Sequence, residues 1–219
     1  MRTFAWWILA MCSAGCGSPP PHDYRAYLAH MPRSILVLPP VNDSLEPQAP
    51  NAFLASVTRP LAERGYYVFP VAVVEAYMRQ NGRPTPADMH AVAPSKLVEV
   101  FGADAALYIH IKDWGTSYAV LNSASRVVID CRLVDLRSEA LLWTGSGMAV
   151  ENSGNGGSLV GALASALVNQ VAASVHDPCP ALARRASSSL FAHPRHGLLL
   201  GWRHPDFERD QVAHRAAAQ

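Results

Sequence analysis

Beyond its first residues, the 219-residue chain lacks any apolar run that approaches the roughly 20 residues needed to span a bilayer. An excess of charge is also absent, because 18 Lys and Arg residues stand against 17 Asp and Glu residues, for a formal net charge of +1. These absences exclude a transmembrane helix in the folded part and give no support to nucleic acid as a partner. The remaining composition, 50% hydrophobic, is enough for one well-buried core in a single domain.

Motifs of catalysis and cofactor binding are missing as well. The chain contains no GxSxG, HExxH, GxxxxGK(S/T) or paired CxxC sequence. Gly154, Gly156 and Gly161 do not fit the GxGxxG spacing of a phosphate-binding loop, so residues 151–157 are predicted to form a flexible surface loop. We therefore expect a non-catalytic protein with no cofactor.

Cysteine is scarce, and two of the four cysteines, Cys12 and Cys16, stand before any predicted domain. A positively charged start followed by eight apolar residues predicts a signal peptide. The small residues that precede Cys16 make it the expected lipidation site. Cys12 has Leu9 at the usual spacing, but Met11 would then precede the cleaved bond, where a small residue is required. The alternative is an ordinary secretory signal with incidental cysteines.

Lipidation at Cys16 would anchor the protein in the outer membrane. Three acyl chains exceed the two signals needed for stable anchoring, and Gly17 stands where Asp would retain a lipoprotein in the inner membrane. The prolines at 19–21 predict a stiff tether that holds the domain in the periplasm. The expected organisation is a lipoprotein signal peptide at 1–15, a lipidated tether at 16–30, one α/β domain at 31–210 and a C-terminal tail at 211–219.

The two cysteines that remain after processing leave two alternatives open. In an oxidising periplasm, Cys131 and Cys179 could form a disulfide. Cys131 also alternates with Val127, Ile129 and Leu133 on a predicted buried strand face, where a thiol packs as a small apolar side chain.

The first half of the domain predicts alternating strands and helices. Residues 34–38 form an unbroken apolar run stopped by prolines, which is typical of a buried strand. The pattern continues with a helix at 52–63, in which Pro60 predicts a kink or a break, a strand at 66–70, and helices at 71–80 and 96–101. This alternation indicates parallel neighbouring strands with helices on the sheet faces.

The second half changes to a two-residue period, which predicts an antiparallel meander. Its strands are expected at 107–112, 117–121, 126–136 and 140–148, with loops at 115–116, 122–124 and 137–139. An apolar segment at 158–176 then predicts a buried helix with Ser158 as its N-cap. The expected fold class is α/β, a mixed sheet flanked by helices with an antiparallel meander in the second half.

Three histidines near the C-terminus, His193, His196 and His204, are weak candidates for a metal site. Imidazole is a ligand that suits zinc or copper. The segment around them is punctuated by Pro and Gly and carries Arg195, Arg203 and Trp202, a composition that more often docks a C-terminal segment onto its domain. Docking without a metal is the expectation.

Five blocks, in order between Met31 and Phe207, carry a resemblance to a known family: "ILVLPPVNDS", "PLAERGYYVFPVAVV", "FGADAALYIHIKDWGTSY", "CRLVDLRSEALLW" and "HGLLLGWRHPDF". Together they resemble the bacterial lipoprotein family of unknown function typified by a vaccine-candidate surface antigen. The hairpin block also resembles its counterpart in the curli-secretion lipoprotein CsgG and in lipoprotein activators of penicillin-binding proteins, although Ser138-Glu139 replaces the usual Thr-Gly. The resemblance implies a fold similar to the N-terminal domain of TolB, a homodimer, and no established catalytic residue.

Two function classes follow. The first is a lipid-anchored accessory protein that assembles with other envelope lipoproteins or transport components. The alternative is a periplasmic activator that docks on a peptidoglycan synthase, which the short stretch from Cys16 to Met31, at most about 55 Å when extended, disfavours.

For either class, the candidate partner surface comprises Trp114, Tyr118, Trp202 and the exposed edge of the meander, because aromatic residues and sheet edges concentrate binding energy. The alternative is that these aromatic side chains fill the core, which is the favoured expectation for Trp114.

Overall fold

The computed structural model describes residues 22–119, 122–152 and 178–217. Three expectations lie outside these residues: the signal peptide with Cys16, most of the loop at 151–157 and the helix at 158–176. The start of that loop is wrong, because residues 151 and 152 belong to the last described strand, Leu141–Asn152. Within the described ranges, no helix is both long and apolar enough to cross a membrane.

The described part of the chain contains seven helices and six strands. The helices are α1 (Arg25–His30), α2 (Ala49–Glu63), α3 (Val71–Gln80), α4 (Pro86–His90), α5 (Pro94–Phe101), α6 (Cys179–Phe191) and α7 (Phe207–Ala217). The strands are β1 (Ser34–Val37), β2 (Val41–Asn42), β3 (Tyr67–Val68), β4 (Ala105–Ala119), β5 (Asn122–Asp135) and β6 (Leu141–Asn152).

The strands form one mixed sheet in the order β3-β1-β4-β5-β6, with β2 also paired to β4. Strand β1 runs parallel to β3 and β4, and β2 runs parallel to β4, whereas β5 is antiparallel to both β4 and β6. Strand β1 lies between β3 and β4, because Ile35 pairs with Val68 of β3 on one side and with Ala105 of β4 on the other. The predicted mixed α/β fold is confirmed, with parallel strands first and a meander second.

Strand β1 is buried on both faces, as its unbroken apolar run predicts. Ile35 and Val37 belong to the larger core cluster, which includes side chains of α2 and α6. Leu36 and Leu38 belong to a second cluster with side chains of α3, α4 and α5. Helices therefore cover both faces of the parallel half of the sheet, so that its strands need no polar face.

The two cysteines that remain after processing pack as small apolar side chains, the second alternative given by the sequence. Among the described residues, Cys131 and Cys179 are both buried and no disulfide joins them. Cys131 lies in the centre of the meander, between Ile109 on β4 and Gly145 on β6. Burial raises the pKa of its thiol well above the usual value, which keeps the thiol neutral and inert.

The meander has three long strands where the sequence predicted four. Strand β4 continues through Gly115 and Thr116, which pair with residues of β5, so the loop predicted at 115–116 is wrong. The loop predicted at 122–124 is wrong as well, since these residues begin β5. The turn predicted at 137–139 is confirmed between β5 and β6. Small and polar residues interrupt the apolar alternation of the sequence. In the structure they still form backbone pairs within the long β4–β5 ladder.

Helix α2 runs unbroken through Pro60, so the predicted break is wrong. Proline has no N–H to donate to the carbonyl oxygen four residues earlier, which here belongs to Ser56. The hydroxyl of Ser187 on α6 lies 3.3 Å from that oxygen and 3.2 Å from the carbonyl oxygen of Arg184. A side chain of the neighbouring helix thereby replaces the missing backbone donor.

We expect Ser187→Ala to lower the free energy of unfolding by about 1–2 kcal/mol, because it leaves the buried Ser56 carbonyl without a donor. In a Pro60→Ala background the restored N–H can bond that carbonyl, so the same substitution should cost much less. Urea denaturation of the four proteins in this double-mutant cycle measures the coupling. Equal costs in the two backgrounds would contradict this account of the helix.

The folded part extends past both predicted domain boundaries. Helix α1 lies inside the segment 16–30 that was predicted to be tether, yet Tyr24 and Tyr27 are buried in the larger core cluster. Helix α7 likewise crosses the predicted start of the tail at residue 211, and Gln211 is buried. A helix as short as α1 leaves too little periodicity for a sequence pattern to reveal.

Candidate functional site

A pair of glycines fixes the C-terminal turn at 201–204 against the end of α2. Gly65 has a φ of +89°, and a Cβ atom there would lie 2.5 Å from the backbone nitrogen of His204. A Cβ atom on Gly201 would lie 2.8 Å from the carbonyl oxygen of Gly65. The two backbones also bond directly, since Gly201 N–H donates to the carbonyl of Arg64 at 2.7 Å and Arg203 N–H to that of Gly65 at 3.3 Å.

This docking holds an aromatic and cationic cluster at the surface, which we call the Trp202 surface: Trp202, Arg203, Arg33 and Tyr67. Trp202 is 44% exposed and Tyr67 is 42% exposed. The guanidinium carbon of Arg203 lies 4.8 Å from the centroid of the Trp202 ring and 5.6 Å from that of Tyr67. Arg33 approaches the Trp202 ring at 5.6 Å. All three distances are within the range of cation–π attraction.

A cavity of about 280 Å³ opens beside the Trp202 ring. Its lining residues come from the end of α1, from the segment before β1 and from the start of α7: Tyr27, His30, Met31, Pro32, Arg33, Trp202 and Phe207. A third cation lies close by, because Arg215 on α7 approaches the sulfur of Met31 at 3.6 Å. The cavity therefore has largely apolar walls and a cationic rim.

Two carboxylates near this surface, those of Asp104 and Asp206, are bound to other arginines. Arg137 donates to Asp104 at 2.8 Å, and Arg209 lies 3.0 Å from Asp206. Burial pushes the pKa of Asp104 upward, but hydrogen bonds from Arg137, from Ser34 and from the Arg33 and Ser34 backbone outweigh it and hold that pKa below its usual value. Within the described residues, the guanidinium groups of Arg33 and Arg203 form no ion pair. Their charge is available to a partner.

Aromatic contacts extend the surface along the sheet edge. The ring of Tyr67 lies edge-on to Phe69 at 5.1 Å, Phe69 contacts Phe101 at 6.4 Å, and Phe101 contacts Tyr77 at 5.4 Å. Val73 and Val100 are exposed on the same helices, α3 and α5. The edge strand β3 has only two residues, so its backbone offers few free hydrogen-bonding groups. What this edge of the sheet exposes to a partner is mainly apolar side chains.

Trp114 was a candidate for the partner surface with a core position favoured, and the core position is the one observed. Trp114 is only 5% exposed and belongs to the larger core cluster. Alternation from Tyr108 and His110 would place it on the open face, but the pairing register of β4 and β5 shifts between Ile111 and Asp113. This β-bulge turns the following side chains to the opposite face. It also sets Lys112 and Asp113 side by side on the exposed face.

The three residues of the predicted partner surface do not lie together. Trp114 stands nine residues beyond Ala105, which pairs with Ile35 close to Arg33, so about 30 Å of strand separates it from the Trp202 surface. The side chain of Tyr118 lies outside the described residues. Trp202 alone of the three has an exposed position among the described side chains.

The histidine-rich segment docks onto the domain, as its composition predicts. Buried Leu198 and Leu199 anchor it, Trp143 donates its indole N–H to the carbonyl of His196 at 2.8 Å, and Tyr24 donates to that of Gly197 at 2.5 Å. The rings of His193 and His196 stack at 3.7 Å, while His204 packs against Gly65. Across the described ranges, no group of three His, Cys, Asp or Glu residues has the geometry to hold a metal ion.

Two wider grooves border β6. One, of about 610 Å³, contains Asp130, which accepts from Ser146 at 2.6 Å. The other, of about 720 Å³, lies beside the exposed Leu45. There Lys112 contacts Asp43 at 3.1 Å and Arg126 contacts Asp113 at 3.5 Å. The cations of the second groove thus have carboxylate partners, whereas Arg132, which lines the first, lies over the Tyr108 ring at 5.8 Å.

Comparison with known proteins identifies the family. The family model described as "Putative lipoprotein GNA1162-like" matches residues 22–203. The chain belongs to this lipoprotein family. A GNA1162-like relative from Neisseria meningitidis serogroup B, a lipoprotein designated NMB1124/NMB1162, is 43% identical over 206 residues, which cover 93% of this chain and 94% of the relative. The resemblance inferred from the five sequence blocks is confirmed, and membership of the GNA1162-like family implies a membrane anchor through a lipid.

A solved structure of the same family agrees with the fold. The crystal structure of lipoprotein GNA1162 from Neisseria meningitidis is 51% identical, with a TM-score of 0.54, and the match covers 64% of this chain and 99% of that one. The C-terminal domain of LpoB from Salmonella enterica is 18% identical, with a TM-score of 0.39, over 54% of this chain and 84% of that one. The latter similarity is too distant to support an argument about function.

The sequence singled out Trp202 but missed Arg33 and Tyr67. The Trp-Arg dipeptide at 202–203 was visible in the sequence as an aromatic next to a cation. Arg33 reaches the same ring only because β1 pairs with β3 and because Gly201 docks on Gly65. No local pattern carries that information.

Proposed function

We propose that this GNA1162-like lipoprotein is a non-catalytic accessory or assembly component of an envelope transport or secretion complex. It would be anchored in the outer membrane through Cys16, with the domain facing the periplasm, and would bind its partner through the Trp202 surface. The observation that carries the proposal is an exposed tryptophan, fixed by backbone docking and flanked by two arginines without carboxylate partners.

The composition of this surface matches what protein interfaces use for affinity. Trp, Tyr and Arg are the residue types enriched where few side chains supply most of the binding energy. The docked turn holds Trp202 and Arg203 in place before any partner arrives, so little further conformational freedom is lost on binding. The half-exposed rings leave apolar area for a partner to cover.

The short reach of the anchor favours a partner at or near the same membrane. Helix α1 begins at Arg25 and Tyr24 is already buried, so the chain between Cys16 and His22 could span at most about 20 Å. An activator of a peptidoglycan synthase has to reach an enzyme held in the opposite membrane, which this reach disfavours. Other envelope lipoproteins and transport components lie within it.

The test is crosslinking in intact cells, followed by affinity purification and mass spectrometry. Wild type is compared with Trp202→Ala, with Cys16→Ser and with Leu45→Ala, which removes a fully exposed side chain outside the Trp202 surface. We expect wild type and Leu45→Ala to recover an envelope lipoprotein or transport component. Trp202→Ala should lose at least ten-fold of that recovery, because it removes a central aromatic contact.

The same experiment separates the remaining possibilities. Recovery of a cell-wall synthase would replace the proposed role by that of an activator. A partner recovered equally with Trp202→Ala would exclude the Trp202 surface as the contact. Recovery of a second copy of the chain and nothing else would indicate homodimerisation, and the assembly role would then be wrong.

A further inference from the structure

We infer that the Trp202 surface recognises an acidic peptide segment of the partner. In this arrangement a carboxylate of the partner binds at Arg33 and Arg203 beside the Trp202 ring, and a neighbouring apolar side chain enters the adjoining cavity. The inference rests on the proposed function and names the chemistry of the partner for that same surface.

Charge complementarity is the first argument. Arg33 lines the cavity, while Arg203 and Arg215 contact its lining residues Trp202 and Met31. The carboxylates of Asp104 and Asp206 are bound to Arg137 and Arg209. The whole chain is close to neutral, with a formal net charge of +1, so this concentration of cations is local. A local excess of unpaired guanidinium groups attracts an anionic partner and speeds its association.

The geometry of the guanidinium groups favours a carboxylate. An arginine stacked against an aromatic ring keeps its in-plane N–H groups free, and these form paired hydrogen bonds with the two oxygens of a carboxylate. Both Arg33 and Arg203 lie against the Trp202 ring, which restrains their side chains before binding. The Tyr67 ring restrains Arg203 from a second direction.

The size of the cavity favours a peptide side chain. At about 280 Å³ it lies below the range of drug-sized ligand pockets, and its walls include Met31, Phe207 and the Trp202 ring. Such a space suits one apolar side chain. A carboxylate at the rim and an apolar group in the cavity together describe a segment in which an acidic residue adjoins an apolar one.

The test measures binding of a defined probe to the full-length lipoprotein in detergent micelles. The probe is a fluorescein-labelled peptide with one leucine between two aspartates, and its reference is the same peptide with asparagines. Fluorescence anisotropy should give wild type at least a ten-fold preference for the acidic peptide. The double variant Arg33→Gln/Arg203→Gln should lose this preference, since two charge-assisted contacts are removed.

A control variant at a distant arginine tests whether the effect is specific to the Trp202 surface. Arg83 is exposed on the loop after α3 and outside the Trp202 surface, so Arg83→Gln should leave the preference unchanged. An equal loss with Arg83→Gln, or equal binding by wild type and the double variant, would overturn the inference. Replacing the leucine of the probe by glycine should weaken binding to wild type, and no effect would exclude the cavity as the apolar subsite.

Two further readouts address other occupants. If the double variant weakened sedimentation with phosphatidylglycerol vesicles but not binding of the acidic peptide, a lipid phosphate would replace the peptide as ligand. If it changed only self-association in analytical ultracentrifugation, a second copy of the chain would be the occupant. Capture in cells that depends on Trp202, together with no acidic preference in vitro, would refute this inference and leave the proposed function intact.

Discussion

Gly65→Ala should lower the free energy of unfolding by about 2–5 kcal/mol, the largest effect we expect from a single added methyl group. The left-handed backbone at φ +89° costs a non-glycine residue about 1–2 kcal/mol. The new Cβ atom would also meet backbone atoms of His204 and Gly201, which cannot rotate away, and such overpacking adds about 1–3 kcal/mol. Chemical denaturation measures the sum.

Gly82 provides the matched control for this prediction. It has a similar φ of +77°, but a Cβ atom there would meet nothing within 4 Å. Gly82→Ala should therefore cost only the conformational part, about 1–2 kcal/mol. Gly65→Ala should also increase acrylamide quenching of tryptophan fluorescence, since the turn that holds Trp202 would be displaced. If Gly65→Ala and Gly82→Ala lowered the free energy of unfolding equally, the contacts of Gly65 with His204 and Gly201 would contribute no steric penalty.

The fold should lose stability steeply above pH 10, because folding buries three tyrosines that contact each other or the C-terminal segment. Burial raises the pKa of Tyr24 to about 12. Burial also raises the pKa of Tyr27 and of Tyr66 well above the usual value of 10. The hydroxyls of Tyr27 and Tyr66 bond each other, and Tyr66 donates to the carbonyl of Leu199 at 2.7 Å.

The sign follows from proton linkage. A phenol whose pKa is higher in the folded state leaves stability unchanged below the unfolded pKa of about 10, and stability falls as the pH rises from there towards the folded pKa. Each unit by which the folded pKa exceeds the unfolded pKa lowers the free energy of unfolding by about 1.4 kcal/mol once the pH is above both pKa values. Circular dichroism between pH 9 and pH 12 should therefore show cooperative alkaline unfolding.

Tyr27→Phe tests the origin of this transition. It removes one buried phenol, so the alkaline midpoint should rise even if stability at pH 7 falls. Tyr77→Phe, at an exposed position, should leave the midpoint where it is. The lysines Lys96 and Lys112, the only two in the chain, are both exposed, so loss of lysine charge adds little. A midpoint unaffected by Tyr27→Phe would assign the transition to other groups.

The parts of the fold that could be predicted are those set by local pattern. The apolar run of β1 and the periodicity of α3 gave elements within a residue of their bounds, Ser34–Val37 and Val71–Gln80. Helix α2 was predicted too, but its continuity through Pro60 depends on a hydroxyl from α6, more than 100 residues away. The local sequence shows that Pro60 has no N–H, but it does not show that the Ser187 hydroxyl takes the place of that donor.

The candidate site was predictable only in part, for a related reason. Trp202 was visible as an aromatic in a polar segment, whereas the burial of Trp114, although favoured, depends on one bulge in β4 that reverses the alternation after it. Arg33 and Tyr67 become part of the site through strand pairing and through the contact of Gly65 with Gly201. Composition can indicate that a chain has binding residues, while their convergence is decided by tertiary structure.

The tyrosine contacts of α1 also define how the domain would respond to mechanical load. A pull transmitted from a membrane anchor enters the described structure at His22 and reaches Tyr24 and Tyr27 first. Tyr24 passes it to Gly197, and Tyr27 passes it through Tyr66 to Leu199, a few residues before Trp202. Tension between the membrane and a bound partner would therefore have a short path from α1 to the turn that holds Trp202.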